Sequence, residues 1–141
     1  MNEKDMERYY TEEHEWVMPI GDDKVRLGIT EYAAKELGDV VYVELPEIAA
    51  HVSAGDEIGT IESTKSASVI FSPVSGKVVL VNEELEDAPE LVNEGPLNEG
   101  WMSEVLLSDS SELADLLTQE EYDNLVEKLE EDDEEAENEE E

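Results

Sequence analysis

One lysine, Lys65, has the chemistry and the setting of a covalent attachment point. It lies in the segment Glu62-Ser63-Thr64-Lys65-Ser66 and is the only Lys or Arg between Lys35 and Lys77. Runs of β-forming residues without proline flank it on both sides, so its primary amine is expected at the tip of a short connection that another protein can reach. The same spacing also fits an ordinary solvated turn lysine, because charged residues are mostly exposed without any special role. Spacing alone leaves both interpretations open.

The neighbours of Lys65 disfavour a catalytic role for its amine. A Schiff-base lysine needs a desolvated pocket, whereas the four residues around Lys65 are polar. A nearby carboxylate such as that of Glu62 also favours the charged amine. An exposed turn lysine is instead suited to acylation by a dedicated ligase that recognises the turn.

The rest of the sequence contains no catalytic constellation. It has no Gly-rich phosphate loop and no G-x-S-x-G elbow. It has no cysteine, which excludes disulfides, thiolate metal sites and a cysteine nucleophile. His14 and His51 are the only histidines, and His14, in Glu12-Glu13-His14-Glu15-Trp16, lacks the second histidine of a zinc helix. We therefore expect His14 to be solvated or packed, and we expect neither a metal site nor a catalytic residue.

The charge of the chain is its strongest global signal. There are 41 acidic residues against 8 basic ones, a net charge of −33, and residues 130–141 hold ten acids and no base. Binding to nucleic acid or anionic lipid through phosphate contacts is disfavoured, because it needs a basic patch. Self-repulsion on this scale requires screening by salt. The composition is typical of proteins from a high-salt cytoplasm.

The N-terminal residues and the hydropathy bear on location. Met1-Asn2-Glu3-Lys4-Asp5 is polar and acidic, unlike a signal or transit peptide. No apolar run reaches the length of a membrane span, about 18 residues. We expect a cytoplasmic protein that does not enter a membrane.

The elements that position Lys65 are predicted to be mainly β. A helix over residues 31–37 has Thr30 as its N-cap and ends at Gly38, and residues 83–89 favour a helical turn. Val41, Val43 and Leu45 are expected to face the core. Strands are predicted at 15–18 (ended by Pro19), 24–29, 40–45, 57–63, 66–71, 77–81 and 101–107.

The connection that carries Lys65 lacks the residues of a tight hairpin. Thr64-Lys65 contains neither Asn nor Gly, so a type I turn is favoured over the primed turns. A type I turn splays its flanking strands. We therefore expect the strands on either side of Lys65 to belong to different sheets.

The C-terminal region is predicted to be helical up to a boundary at Leu129. The segment Thr118-Gln119-Glu120-Glu121 fits a capping box, and Tyr122, Leu125, Val126 and Leu129 form one apolar face. Residues 130–141 have no such face and are expected to be a disordered acidic tail. Residues 1–8 lack periodicity and are expected to be mobile, which leaves residues 9–129 as the domain.

The ordered series of motifs resembles the glycine cleavage H-protein family over about residues 9–128. Any one fragment would be weak evidence, but the series as a whole is specific. The matching motifs are Tyr10-Thr11, His14-Glu15-Trp16, Leu27-Gly28-Ile29-Thr30, Leu37-Gly38-Asp39-Val40-Val41-Tyr42-Val43-Glu44-Leu45-Pro46, Glu62-Ser63-Thr64-Lys65-Ser66, Ser72-Pro73-Val74-Ser75-Gly76, Asn82-Glu83, Pro89-Glu90-Leu91-Val92-Asn93 and Gly100-Trp101.

This resemblance implies a barrel-sandwich hybrid of the lipoyl-domain type, with covalent lipoic acid on Lys65 as N6-lipoyllysine. It implies a non-catalytic, monomeric carrier modified by a lipoate ligase or a lipoyl/octanoyl transferase. The carrier would take an aminomethyl group from glycine decarboxylase (P protein) to aminomethyltransferase (T protein) and then electrons to dihydrolipoyl dehydrogenase (L protein). Redox sulfurs supplied by lipoic acid would fit a chain without cysteine.

Alternatives to the glycine-cleavage carrier are an H-like lipoyl donor to other complexes, a biotin-type carrier and a non-carrier acidic binding module. Biotin carriers usually present Met-Lys-Met, which Thr64-Lys65-Ser66 does not match. Lipoyl domains of 2-oxoacid dehydrogenases usually present Asp-Lys-Ala, which it does not match either. Thr64 and Ser66 also depart from the commoner Val and Ala of the H-protein family, as does the loop over residues 96–100.

Overall fold

The protein is described here by a computed structural model that covers residues 8–139, with side-chain surroundings described as far as residue 131. No helix in this part of the chain is long and apolar enough to cross a membrane. The nine strands are β1 (Tyr9–Tyr10), β2 (Glu15–Gly21), β3 (Lys24–Ile29), β4 (Val40–Glu44), β5 (His51–Val52), β6 (Glu57–Ser63), β7 (Ala67–Phe71), β8 (Gly76–Val81) and β9 (Ser103–Leu107). The helices are α1 (Glu31–Leu37), α2 (Glu84–Asp87), α3 (Leu91–Glu94), a 3₁₀ helix (Ser110–Asp115) and α4 (Gln119–Glu139).

Two antiparallel sheets enclose the main core. The large sheet has the order β1-β2-β3-β9-β8-β5, and the small sheet has the order β4-β6-β7. Fully buried side chains such as Val17 and Val105 from the large sheet and Ile61 from the small sheet belong to one apolar cluster. The prediction of a mainly β fold of the barrel-sandwich type, with short helices and a C-terminal helix, is confirmed.

Strand β2 does not end at Pro19, as the sequence predicted, but continues to Gly21. Proline donates no hydrogen bond, so it is tolerated where a strand lies at a sheet edge or a bulge. Both conditions hold here. Strand β1 pairs only with Trp16 and Val17 of β2, and the register with β3 shifts between Pro19 and Gly21.

The prediction that Val41 faces the core is wrong. Val41 is 54% exposed, whereas Val40 is 4% exposed and Val43 is 2% exposed. The pairing of β4 with β6 shifts register between Val40 and Tyr42, which makes Val41 the extra residue of a β-bulge. The bulge breaks the alternation on which the prediction depended. Val43 faces the core as predicted, and Leu45 is partly buried against the main core cluster.

Helix α4 begins with the predicted capping box. The Glu121 amide donates to Thr118 Oγ1 at 3.2 Å, and the Thr118 amide donates to Glu121 Oε1 at 3.0 Å. Its apolar face packs through Tyr122, Leu125 and Val126 against a second cluster around Trp16. The predicted docking face is therefore confirmed for these three residues, and Leu129 is half-buried.

The two chain ends differ from the predicted boundaries in part. Arg8 was assigned to the mobile N-terminus, yet it donates to the Leu97 carbonyl at 3.1 Å and lies 5.3 Å from the ring centroid of Trp16. The remainder of that predicted segment, residues 1–7, lies outside the described residues. Helix α4 runs to Glu139, past the boundary at which disorder was predicted to begin. Glutamate favours helix intrinsically, although like charges four residues apart oppose it.

Candidate functional site

The turn that carries Lys65, residues 63–66, closes a hairpin within one sheet. Strands β6 and β7 pair in the small sheet, with Glu62 opposite Ala67 and Ile61 opposite Ser68. The Ser63 amide donates to the Ser66 carbonyl at 2.8 Å. The prediction that these strands belong to different sheets is therefore wrong. Lys65 lies at the tip of the turn, as predicted.

The Ser63 side chain explains how the hairpin closes without Asn or Gly. Its hydroxyl oxygen accepts from the Ser66 amide at 3.1 Å and from the Lys65 amide at 3.3 Å, and it donates to the Ser66 carbonyl at 3.2 Å. A serine hydroxyl that binds the backbone two or three residues later mimics a backbone turn. The sequence reasoning weighed only Thr64 and Lys65, so it missed this signal one residue earlier.

The turn is anchored to the segment between α1 and β4. The Thr64 amide donates to the Asp39 carbonyl at 2.9 Å. The Lys65 stem lies over Gly38, with Cε 3.2 Å from the place that a Cβ on Gly38 would take. Gly38 itself has φ +79°, a conformation that glycine adopts without strain. This contact directs the lysine stem past the end of α1.

Asn93, at α3, fixes the same segment from the other side. Its Nδ2 donates to the Gly38 carbonyl at 2.7 Å, and its Oδ1 accepts from the Val40 amide at 2.8 Å. A single amide side chain thus satisfies two backbone groups next to the lysine. The sequence reasoning gave Asn93 no role, because nothing local relates it to a backbone segment more than 50 residues earlier.

The Lys65 side chain is exposed, and its ammonium makes neither a hydrogen bond nor an ion pair within the described part of the chain. The backbone below it is held by Ser63 and Asp39. A primary amine presented in this way on an ordered turn is accessible to an enzyme that acylates it.

A cleft of about 450 Å³ begins beside the turn and runs between α1 and β7; we call it the α1–β7 cleft. Its walls combine apolar, hydroxyl and titratable side chains. They include Tyr32, Glu36, Ser66, Ser68, Val69 and His14. Because Ser66 lines this cleft, an arm attached to Lys65 would start beside it.

His14 is packed at the edge of this cleft and has φ +69°. Its Nδ1 lies 2.9 Å from the Tyr122 hydroxyl, which lies 2.7 Å from Thr30 Oγ1. Its ring centroid is 4.7 Å from that of Tyr32. Burial lowers the pKa of His14, which favours the neutral imidazole, and burial raises the pKa of Tyr122 to about 12. The hydrogen bond between Tyr122, on α4, and His14 therefore connects this helix to the α1–β7 cleft.

Glu15 is a buried carboxyl that the sequence reasoning missed. It is 3% exposed, accepts from Thr11 Oγ1 at 3.1 Å and accepts from the Phe71 amide at 2.9 Å. The second bond joins β2 of the large sheet to β7 of the small sheet. Burial raises the pKa of Glu15 to about 7, against the lowering effect of these hydrogen bonds.

We expect Glu15→Gln to change the pH dependence of stability. Because the pKa of Glu15 is about 7 in the folded state and near 4.5 otherwise, its contribution is fully present below pH 4.5 and lost as the pH rises through 7. Relative to wild type, Glu15→Gln should gain roughly 2–3 kcal/mol in unfolding free energy between pH 5 and pH 8. Urea unfolding at several pH values measures this difference. The exposed control Glu12→Gln should stay parallel to wild type, and a parallel Glu15→Gln curve would contradict the prediction.

Two other features of the described residues lie apart from the Lys65 turn. No group of three or more His, Asp or Glu side chains there could hold a metal ion, and His51 lies exposed on β5. A crevice of about 510 Å³ between α1 and α4 contains Arg8 and Lys35 but also Glu31 and Asp123, and no residue of the Lys65 turn lines it.

Comparisons with known proteins agree on one family. The family model described as "Glycine cleavage H-protein" matches residues 8–129. A "Glycine cleavage system H protein" from Geobacillus sp. (strain WCH70) is 54% identical over 117 residues, covering 83% of this chain and 91% of its own. One from Vibrio vulnificus (strain YJ016) is 54% identical over 118 residues, covering 84% and 94%. The crystal structure of a glycine cleavage system H protein from Mycobacterium marinum, 40% identical, matches with a TM-score of 0.74 over 82% of this chain and 92% of that one.

Proposed function

Since the chain belongs to the glycine cleavage H-protein family, we propose that it is a lipoyl-bearing carrier of the glycine cleavage system and that Lys65 bears the group. The observation that carries the proposal is the presentation of Lys65: an exposed amine that has no partner among the described residues, on a turn whose backbone is fixed by Ser63 and Asp39. The chain itself performs no catalysis. It moves a bound intermediate between enzymes.

The amine of Lys65 fits the covalent attachment of lipoic acid. The bond to the chain would be an amide between Lys65 Nζ and the carboxyl carbon of lipoic acid, and its formation requires an accessible primary amine. The attached group supplies a disulfide that can be reduced and reoxidised. The turn fixes the position of the attached end of the lipoyl arm. The tether raises the effective concentration of the disulfide at each enzyme that the arm reaches.

The α1–β7 cleft is the proposed resting place of the arm. It begins at Ser66, next to the attachment point, and Val69 and Tyr32 offer apolar contact to an alkyl chain. His14 adds a polar ring that is held by the Tyr122 hydroxyl. A cleft of this kind shields a reactive group from water while leaving it free to swing out.

The proposed partners are the P, T and L proteins, together with a lipoate ligase or a lipoyl/octanoyl transferase that modifies Lys65. The P protein would load an aminomethyl group, the T protein would remove its one-carbon unit, and the L protein would reoxidise the dithiol. A cytoplasmic location and a monomeric state remain predictions.

Loading by glycine tests this function. The lipoylated chain is incubated with purified glycine decarboxylase and glycine, and its intact mass is measured. We expect one aminomethyl increment that depends on both glycine and the enzyme, whereas the unmodified chain should gain nothing. A lipoylated chain that gains no mass while a lipoylated family member is loaded in parallel would contradict the carrier function.

A further inference from the structure

Two neighbouring side chains on β4, Val41 and Tyr42, are both exposed. Val41 is 54% exposed and Tyr42 is 50% exposed. Consecutive strand residues normally point to opposite faces, so a strand with one buried face should expose only one of the two. Here the bulge at Val41 turns both outward between the buried Val40 and Val43.

Packing does not explain the apolar character of this pair. Neither side chain belongs to the two apolar clusters of residues 8–131. A single exposed apolar residue needs no explanation. An adjacent valine and tyrosine turned outward together by a bulge differ from that case, because bulges often re-aim side chains next to functional sites.

The pair is held in a fixed position relative to the Lys65 turn. Strand β4 pairs directly with β6, with Val40 opposite Ser63 and Tyr42 opposite Glu62. Neighbouring strands lie about 4.8 Å apart. The hydrogen bond from the Thr64 amide to the Asp39 carbonyl joins the start of β4 to the turn itself. Any enzyme that closes on Lys65 therefore has Val41 and Tyr42 close to its contact area.

Carboxylates surround the pair. Glu44 follows on the same strand, Glu62 lies opposite Tyr42, and Asp39 precedes β4, and all three are exposed. An apolar contact surrounded by acids fits a partner surface with an apolar recess and basic side chains around it.

We propose that Val41 and Tyr42 are the docking surface for the enzyme that acylates Lys65, an inference that rests on the proposed function. That enzyme must bring its active site to Lys65 Nζ before any arm exists, so it has to contact the residues next to the turn. The enzymes of the glycine cleavage system would act on the sulfur end of an attached arm, so their chemistry does not require contact with the residues next to the turn. Geometry therefore assigns this surface to the attachment step.

The attachment step would be an acyl transfer from an activated lipoate. Lipoate and ATP give lipoyl-adenylate and pyrophosphate. Lys65 Nζ then forms an amide bond to the acyl carbon, the bond from that carbon to the adenylate oxygen breaks, AMP leaves and Nζ loses a proton. Docking through Val41 and Tyr42 would act on the encounter between protein and ligase, and so chiefly on KM.

The test compares two paired substitutions at exposed apolar residues. Val41→Ser/Tyr42→Ser removes the proposed surface. The matched control Leu80→Ser/Leu106→Ser removes two leucines of similar exposure, 43% and 40%, from the large sheet. The lipoyl mass increment is followed over time with purified lipoate ligase, lipoate and ATP. The affinity of each unmodified chain for the ligase is measured separately, and thermal unfolding confirms that each variant is folded.

We expect the Val41/Tyr42 variant to lose roughly tenfold or more in kcat/KM, mainly through KM, with a matching loss of affinity. The Leu80/Leu106 variant should stay within about twofold of wild type, because small losses are normal away from hot spots. Equal rates for both variants would overturn the docking surface and leave the carrier function standing. A wild-type chain that gains no lipoyl increment would overturn both.

Discussion

Lys65→Arg is expected to abolish the lipoyl mass increment completely. Acylation requires a neutral amine as the nucleophile, and a guanidinium stays protonated under all ordinary conditions. The variant keeps the positive charge and most of the stem, so the turn held by Ser63 and Asp39 should be unchanged. Intact mass after incubation with lipoate ligase, lipoate and ATP measures the effect, and thermal unfolding confirms the fold.

The matched control for this experiment is Lys77→Arg. Lys77 is also exposed, but it lies within β8 and not in a turn. This variant should gain the full increment, like wild type. An increment that persists in Lys65→Arg would show that another amine is the acceptor and would sink the assignment of Lys65. Peptide mapping would then identify the acceptor.

Gly76→Ala is expected to be the most destabilising single-methyl substitution in the large sheet. Gly76 begins β8, and a Cβ there would overlap the Leu106 carbonyl oxygen and lie 2.8 Å from Val105 Cγ1. Because the Leu106 oxygen belongs to the backbone of β9, which pairs with β8, the clash can be relieved only by moving that backbone. We expect a loss of about 3 kcal/mol in unfolding free energy, the upper range for overpacking. Chemical denaturation measures it.

Gly55→Ala is the control that separates backbone strain from a clash. Gly55 has φ +94°, but no atom lies within 4 Å of the place that its Cβ would take. Its loss should be about 1 kcal/mol, the cost of a left-handed conformation for a residue with a Cβ. A Gly76→Ala variant no less stable than Gly55→Ala would show that β8 and β9 separate more easily than the structure indicates.

The features predicted well from sequence are those that depend on near neighbours. The capping box at Thr118 and helix α1 between Thr30 and Gly38 each follow from residues a few positions apart. The assignment of Lys65 as the attachment point came from the family resemblance, because its chemistry and spacing alone left an ordinary turn lysine open, and it stays a proposal. These local patterns predict correctly because the contacts between distant residues favour the same helix and the same cap.

The features missed depend on contacts between distant residues or on a register shift. Val41 was predicted to be buried because alternation was counted through a bulge, which no local residue marks. The bond from Phe71 to Glu15 spans 56 residues, and that from Tyr122 to His14 spans 108. Only the fold brings these groups together, so a burial-driven pKa such as that of Glu15 could not be read from its neighbours.

The strand order of the two sheets has a consequence for synthesis on the ribosome. All three strands of the small sheet come from residues 40–71. The strands that the Lys65 turn joins, β6 and β7, and their neighbour β4 are therefore synthesised before the second half of the domain. The large sheet instead places β9, residues 103–107, between β3 and β8. Strands β3 and β8 therefore each keep one unpaired edge until β9 has been synthesised. Pairing between strands so far apart in the sequence is slow. The surface offered for acylation is thus assembled from local pairings, while closure of the fold depends on its last strand.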